Sequence, residues 1–333
     1  MSGPLRYGVV GCSSMGETHA KAVERVDGAE LVACADIDEP TARELGDAHG
    51  CDAYADHAAM LDGADLDAVS VCTPNGTHAD VVVDAAAADA AVLCEKPLDV
   101  TPERVDRLVD ACREAGVTLG GVFQRRTLPE MEFFRETVRS DEFGRVLLAD
   151  AELKWHRGPS YFEGWHGSAS LDGGVLFTQA LHVLDLLRWA VGDVTRVAAS
   201  FDTLHHDVEV PDTAALSLEF EGGARGTVSA TTATQPGQPI RLRANGTEGS
   251  VRLHEGGVDA YETAAGRQTV DLDPAEEGAH TVQVRDFVGA VREGREPMIP
   301  PADARAAVDV VFAAQASVRR GEWVPVDEFG DRA

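Results

Sequence analysis

The strongest constraint lies in residues 5–122, where short apolar runs alternate with Ala-rich stretches carrying few helix breakers. Strands are expected at Leu5–Val10, Leu31–Ala35, Ala68–Cys72, Val92–Cys94 and Val117–Val122. Between several of them the sequence reads as helix, at Met15–Val26, Thr77–Ala88 and Pro102–Ala115. The last carries its own punctuation: Thr101 as N-cap, Pro102 at the first helical position and Gly116 just past the end. Strand–helix–strand repetition of this kind implies stacked βαβ units on a parallel sheet, hence an α/β domain.

The first strand runs into Gly11-Cys12-Ser13-Ser14-Met15-Gly16 at the start of a helix. Such a turn lets a pyrophosphate reach the backbone at a helix N-terminus. Ser13 stands where the glycine fingerprint has its middle glycine, so the motif alone is weak. Asp36 strengthens it. Twenty-five residues after Gly11 and at the end of the second strand, it can accept hydrogen bonds from adenosine ribose hydroxyls. The acid, followed by uncharged Ile37, favours NAD over NADP. Residues 1–122 therefore read as a Rossmann dinucleotide-binding domain.

Beyond 122 the rhythm changes. A helix is expected over Pro129–Arg139, a strand over Val146–Trp155, an irregular Gly/Trp/Tyr segment, and a helix over Gly174–Ala190. Alternating runs follow at Arg196–Phe201, Ala214–Phe220, Ala224–Ala230, Ile240–Ala244 and Ser250–Leu253, separated by turns such as Gly222-Gly223 and Gly256-Gly257. Helices near Thr281–Glu293 and Ala302–Arg319 close the chain. Residues 123–333 read as an α+β substrate-binding and oligomerisation domain with a largely antiparallel open sheet.

Charge narrows the partners. Asp and Glu number 57 against 29 Lys and Arg, a formal net charge of -28, which repels nucleic acid and anionic membranes. A halophilic, high-salt cytoplasm would account for it, since salt screens self-repulsion; an ordinary acidic protein is the alternative. The sequence shows neither a secretory leader pattern nor an apolar run of membrane-spanning length, so a cytoplasmic location is expected. The six cysteines lack Cys-x-x-Cys spacing, and His205-His206-Asp207 has no supporting ligands at metal spacing, so no metal is expected.

Two further motifs fall at carboxyl ends of parallel strands, where open α/β sheets bind ligands: Thr73-Pro74-Asn75 with His78, and Glu95-Lys96-Pro97. Lys96 is one of only three lysines, and an ammonium can move a proton far more easily than a guanidinium. Together with Asp172-Gly173-Gly174 leading into Thr178, Gln179, His182 and Asp185, these motifs make the chain resemble the Gfo/Idh/MocA oxidoreductase family, the group containing glucose–fructose oxidoreductase and inositol dehydrogenase. The resemblance runs from Gly8 to the Gly321-Glu322-Trp323 tail.

It implies that Lys96 sits beside the nicotinamide ring and the substrate hydroxyl, and that His182 is the catalytic histidine. Helical spacing puts Thr178, His182 and Asp185 on one face. The family often has aspartate at the position of Thr178, so one carboxylate is missing from the proton relay and Lys96 and His182 carry the acid/base work.

Aromatic faces beside polar groups suit sugar rings, which points to Gln124, Arg126, Tyr161, Trp165 and His166, with Gln179 and His182, as substrate contacts; packing at the domain junction is the competing role. The expected function is hydride transfer between NAD and a hydroxyl or carbonyl carbon of a sugar, polyol or sugar derivative. Two rivals stay open: a non-catalytic NAD or sugar sensor, and different chemistry on the scaffold, such as NAD-recycling glycosidic cleavage or sugar-nucleotide oxidation. The resemblance also implies a homodimer or homotetramer joined through the open sheet face.

Overall fold

The computed structural model describes residues 3–330. Its first part runs β1 (Leu5–Val10), α1 (Ser14–Glu24), β2 (Ala29–Ala35), α2 (Glu39–His49), β3 (Asp52–Tyr54), α3 (His57–Gly63), β4 (Ala68–Val71), α4 (His78–Ala87), β5 (Ala91–Cys94), α5 (Pro102–Ala115) and β6 (Leu119–Gly121). The strands form one parallel sheet in the order β3-β2-β1-β4-β5-β6, the Rossmann order. Central β1 buries Leu5, Tyr7, Val9 and Val10, as a strand covered on both faces must. Edge strand β3 has only three residues, none buried; it carries no apolar run, which is why the sequence did not announce it. Helix ends follow local chemistry. Thr101 accepts the Arg104 N–H at the start of α5, and Gly116 adopts φ 72° at its end; such a cap contributes about 1 kcal/mol.

The second part comprises α6 (Pro129–Arg139), β7 (Val146–Lys154), α7 (Leu181–Val191), β8 (Val194–Asp202), β9 (Thr213–Phe220), β10 (Arg225–Thr231), β11 (Arg241–Gly246), β12 (Gly249–His254), β13 (Gly257–Thr263) and β14 (Gly266–Gln268). Then come α8 (Ala279–Glu293), α9 (Pro301–Arg320), β15 (Val324–Pro325) and α10 (Asp327–Gly330). Nine strands make one sheet in the order β14-β13-β12-β11-β7-β10-β9-β8-β15. Every pair is antiparallel except β7–β10. Sequence alternation ends at Leu253, whereas the sheet continues through β13 and β14, whose residues are half-buried or exposed throughout.

Helices cover one face of this sheet. Helix α7 packs on β7 and α6 on β12, while Ser317 of α9 receives the Ala199 N–H of β8. The other face presents Arg225, Thr227, Arg241 and Arg243 to solvent, with Leu148 50% exposed.

The chain divides into two compact units, one holding the chain up to Gln124 plus Glu276–Ala304, the other holding Arg125–Ala275 and the chain from Arg305. This differs from a single cut after residue 122, because α8 returns to the first unit. Its Val284, Phe287 and Val288 join the core with Leu5, Tyr7 and Leu93, and Gln283 donates to the Gly121 carbonyl at 2.9 Å. The apolar face of α8 reads equally well against any core, so sequence alone does not assign it. All six cysteines are free and five are buried. Among the described residues no helix is long and apolar enough to cross a membrane.

Candidate functional site

In the first unit the turn after β1 is shaped by close approach. Gly11 has φ +90°, and a Cβ there would lie 2.6 Å from the Cys72 carbonyl oxygen; a Cβ on Gly16 would lie 2.0 Å from the Gly11 oxygen. Only glycine at both lets α1 pack on the turn. Ser13 and Ser14 at the helix start are exposed and Met15 is half-buried, so the N-terminal amides of α1 face open space where a pyrophosphate would sit. Asp36 tethers this turn: its carboxylate accepts the Cys12 N–H at 2.8 Å and the Asp38 N–H at 2.9 Å. Each oxygen keeps a lone pair for a ribose hydroxyl. Beside it Ile37 is 91% exposed, an apolar surface that a purine ring would cover. Glycine cradle, ribose acceptor and bare apolar ledge together fit a dinucleotide.

The loops after β4 and β5 are braced to each other. His78, fully buried, places Nδ1 2.8 Å from the Pro97 oxygen and Nε2 2.9 Å from the Thr73 oxygen. The His78 ring thus bridges the backbone carbonyls of the two loops. The Thr77 hydroxyl ties Thr73 and Pro74; Thr73 and Pro74 are half-buried and Asn75 is buried.

Glu95 is likewise inward-facing. It accepts from His19 Nε2 at 3.1 Å and from the Lys96 N–H at 3.1 Å, with His280 Nε2 at 3.7 Å. The chain continues from His19 Nδ1 to the Ser70 hydroxyl at 2.8 Å and on to Tyr7 at 2.9 Å. Burial raises the Glu95 carboxyl, but the hydrogen bond from His19 and the nearby His280 imidazole outweigh it and hold the group well below the usual carboxylate range. The charged carboxylate thus anchors the backbone from which half-buried Lys96 projects. Ligand atoms of His19, Glu95 and His280 lie within 4.8 Å of one another, a donor set that could hold a divalent ion. His19 and Glu95 already complete a hydrogen-bond chain there.

In the second unit the segment before α7 is not a continuous α-helix. Leu176–Ala180 forms a π-helical turn, a local widening often met at functional sites. The Thr178 hydroxyl donates to the Gly174 carbonyl at 2.9 Å and contacts Gln179. The Thr178 hydroxyl thus bonds back to the turn that precedes it. His182, 6% exposed, has its ring 6.4 Å from Trp155. Gln179 donates to the Tyr161 hydroxyl at 2.9 Å. Tyr161 stacks on His166 at 4.0 Å, and Trp165 lies against His166 at 3.7 Å. Burial raises the Tyr161 phenol and the charge of Asp172 adds to this, while Gln179 and Arg157 oppose it.

Of the remaining expected contacts, Gln124 is half-buried at the end of the first unit. Arg126, expected as a substrate contact, is 3% exposed and bound to Asp185 through Nε at 2.9 Å and Nη2 at 2.5 Å, so two of its N–H groups serve a buried acid. Trp155 and Arg157 belong to the same aromatic stretch of the sequence; Arg157 lies 5.0 Å from the Trp155 ring and 4.9 Å from that of Tyr161. The loop at His205-His206 wraps Asp212, which accepts the backbone N–H groups of both.

The comparisons agree in kind. A family model described as the NAD-binding Rossmann fold of the Gfo/Idh/MocA oxidoreductases matches residues 5–122, and that of the family's C-terminal domain matches 131–252. The chain is 29% identical to a rhizopine catabolism protein, MocA, of Rhizobium meliloti, covering 93% of this chain and 94% of that one. It is 29% identical to inositol 2-dehydrogenase 2 of Saccharopolyspora erythraea over 97% and 96% of the two chains. It superposes with a TM-score of 0.90 and 28% identity on the WlbA dehydrogenase of Bordetella pertussis, solved with NADH and UDP-GlcNAcA, over 97% and 98% of the chains.

Proposed function

We propose, from the premise that this chain belongs to the Gfo/Idh/MocA oxidoreductase family, that it transfers a hydride between NAD and a hydroxyl-bearing carbon of a sugar, polyol or sugar derivative. The observation that carries this reading is the open glycine turn tethered to Asp36, a site built for a dinucleotide. Bound there, NAD supplies the acceptor for hydride. Asp36 holds the ribose, and with Ile37 and Asp38 beside it a 2′-phosphate would meet carboxylates and no cation, so NAD is preferred over NADP. Thr73, Pro74 and Asn75 shape the wall after β4, held in place by His78.

Lys96 and His182 are the groups we assign to hold and move the alcohol proton. Lys96 is steadied by Glu95 beneath it; His182 is held in a buried helix between Leu181 and Val183. With its hydroxyl turned to Gly174, Thr178 takes no part. Tyr161, Trp165, His166 and Gln179 offer stacked rings and polar edges of the kind sugars need. Removing a positioned acid/base group costs about 10²–10⁴ in rate. Lys96→Ala and His182→Ala should each lose that much turnover while keeping NADH affinity. A His182→Ala enzyme with near-normal turnover on its best sugar sinks the mechanism, and tight NAD binding without hydride transfer to any sugar favours a sensor.

The polar, exposed face of the nine-stranded sheet is our candidate for joining two or four copies, checked by light scattering; a clean monomer refutes it. The excess of acids suits a salty cytoplasm, so stability should rise with molar KCl.

A further inference from the structure

The structure assigns Arg157 as the anchor for an oxyanion on the substrate, so that the favoured sugar is an acidic one, bearing a carboxylate or phosphate. This rests on the sugar-dehydrogenase reading above and narrows it. The second unit gathers its aromatic residues around this guanidinium. Trp155 lies 5.0 Å from it and Tyr161 4.9 Å, and the same Trp155 ring stands 6.4 Å from the His182 ring. One aromatic ring therefore separates the proposed proton-transfer group from a fixed positive charge.

What distinguishes Arg157 from Arg125, the other arginine over the Trp155 ring, is its lack of an acid. The other arginines of the second unit near tryptophan include neutralised ones: Arg125, 5.4 Å from the same Trp155 ring, pairs with Glu255 at 2.5 Å, and buried Arg126, against Trp189, pairs with Asp185. Arg157 makes no ion pair among the described residues, and its buried Nε has no hydrogen-bond partner there. Asp172, whose charge acts on Tyr161, accepts the Gly167 N–H and faces His166 at 3.6 Å. In a chain with 57 acidic residues against 29 basic ones, a half-buried arginine kept from all of them is placed to receive an acid from outside. Two flanking rings fix the plane of the guanidinium, leaving its edge for the two-point contact that carboxylate and phosphate make with arginine.

The test is calorimetric titration of the NADH-loaded protein, at constant ionic strength, with D-glucose, D-glucuronate, D-galacturonate and D-glucose 6-phosphate. A hydrogen-bonded charge contact corresponds to about 10- to 100-fold in affinity. We expect at least one acid to bind tighter than its neutral parent by that factor. Uronates favoured over the 6-phosphate identify a carboxylate, and the reverse a phosphate. In Arg157→Gln the acid-to-neutral ratio should fall to near one, and in Arg157→Lys, which keeps the charge without the fork, to an intermediate value. Thermal melts report whether each variant is folded. Equal binding of acid and neutral sugar by the wild type, no binding of any acid, or an unchanged ratio in folded Arg157→Gln overturns the inference. NAD reduction by neutral sugars with acids ignored removes this inference alone. Uronate binding lost in Arg157→Gln, with no sugar oxidised, removes the dehydrogenase reading instead.

Discussion

Replacing Arg126 separates two roles that look alike in sequence. If it held substrate, Arg126→Gln would weaken sugar binding in an otherwise unchanged fold. The structure expects the opposite. Arg126 is 3% exposed and makes two hydrogen bonds to Asp185, itself 1% exposed, so removing the cation strands a buried carboxylate. Breaking such a pair from one side costs about 3–5 kcal/mol, because the partner's desolvation is no longer offset. At about 2–4 °C per kcal/mol for units of this size, the melting temperature should drop by roughly 10 °C. Asp185→Asn should cost a similar amount. The double replacement Arg126→Met with Asp185→Leu, which leaves no charge behind, should recover much of the loss. Differential scanning calorimetry compares the four proteins, with sugar KM measured alongside. A melting temperature within 2 °C of wild type for Arg126→Gln, together with a KM raised about tenfold or more, would refute the structural assignment and return Arg126 to the substrate.

Two other outcomes follow from the first unit. Gly11→Ala should lose at least about tenfold in NADH affinity by fluorescence titration, since the backbone is at φ +90° and the new Cβ would meet the Cys72 carbonyl at 2.6 Å; unchanged affinity would mean the cofactor lies elsewhere. Glu95 has its carboxyl held below the ordinary value of 4.5, so its charge contributes stability that is present above that value and lost as pH falls through the lower, folded one. The melting-temperature gap between wild type and Glu95→Gln should therefore be full at pH 7 and shrink below about pH 4.5, and a gap independent of pH would show that the charge is not what stabilises.

The parallel sheet was legible because its strands are buried on both faces and so read as apolar runs between helices, and because α5 is punctuated by Thr101, Pro102 and Gly116. Less legible was everything whose signal is spread or borrowed. Edge strand β3 and the outer strands β13 and β14 bury too little for alternation to show. The π-helical turn at Leu176–Ala180 adds a residue to a pattern whose periodicity looks helical throughout. Helix α8 shows an amphipathic face, but nothing in its own sequence says that the partner of Phe287 is Tyr7, nearly three hundred residues earlier in the chain.

The site divides along a similar line. Gly11, Gly16 and Asp36 could be found because backbone geometry demands those residue types at those places. Charged side chains are harder, since an arginine's task depends on what it faces. Arg126 and Arg157 both belong to the second unit and lie near tryptophan rings, at 5.5 Å from Trp189 and 5.0 Å from Trp155. One meets a buried aspartate and becomes part of the scaffold. The other lies against the Trp155 and Tyr161 rings with no acid paired to it, which is why we assign its charge to a ligand. Sequence could not tell the two apart because composition counts charges without pairing them. In a chain this rich in acid, an arginine that no acid pairs with carries more information than the count of charges.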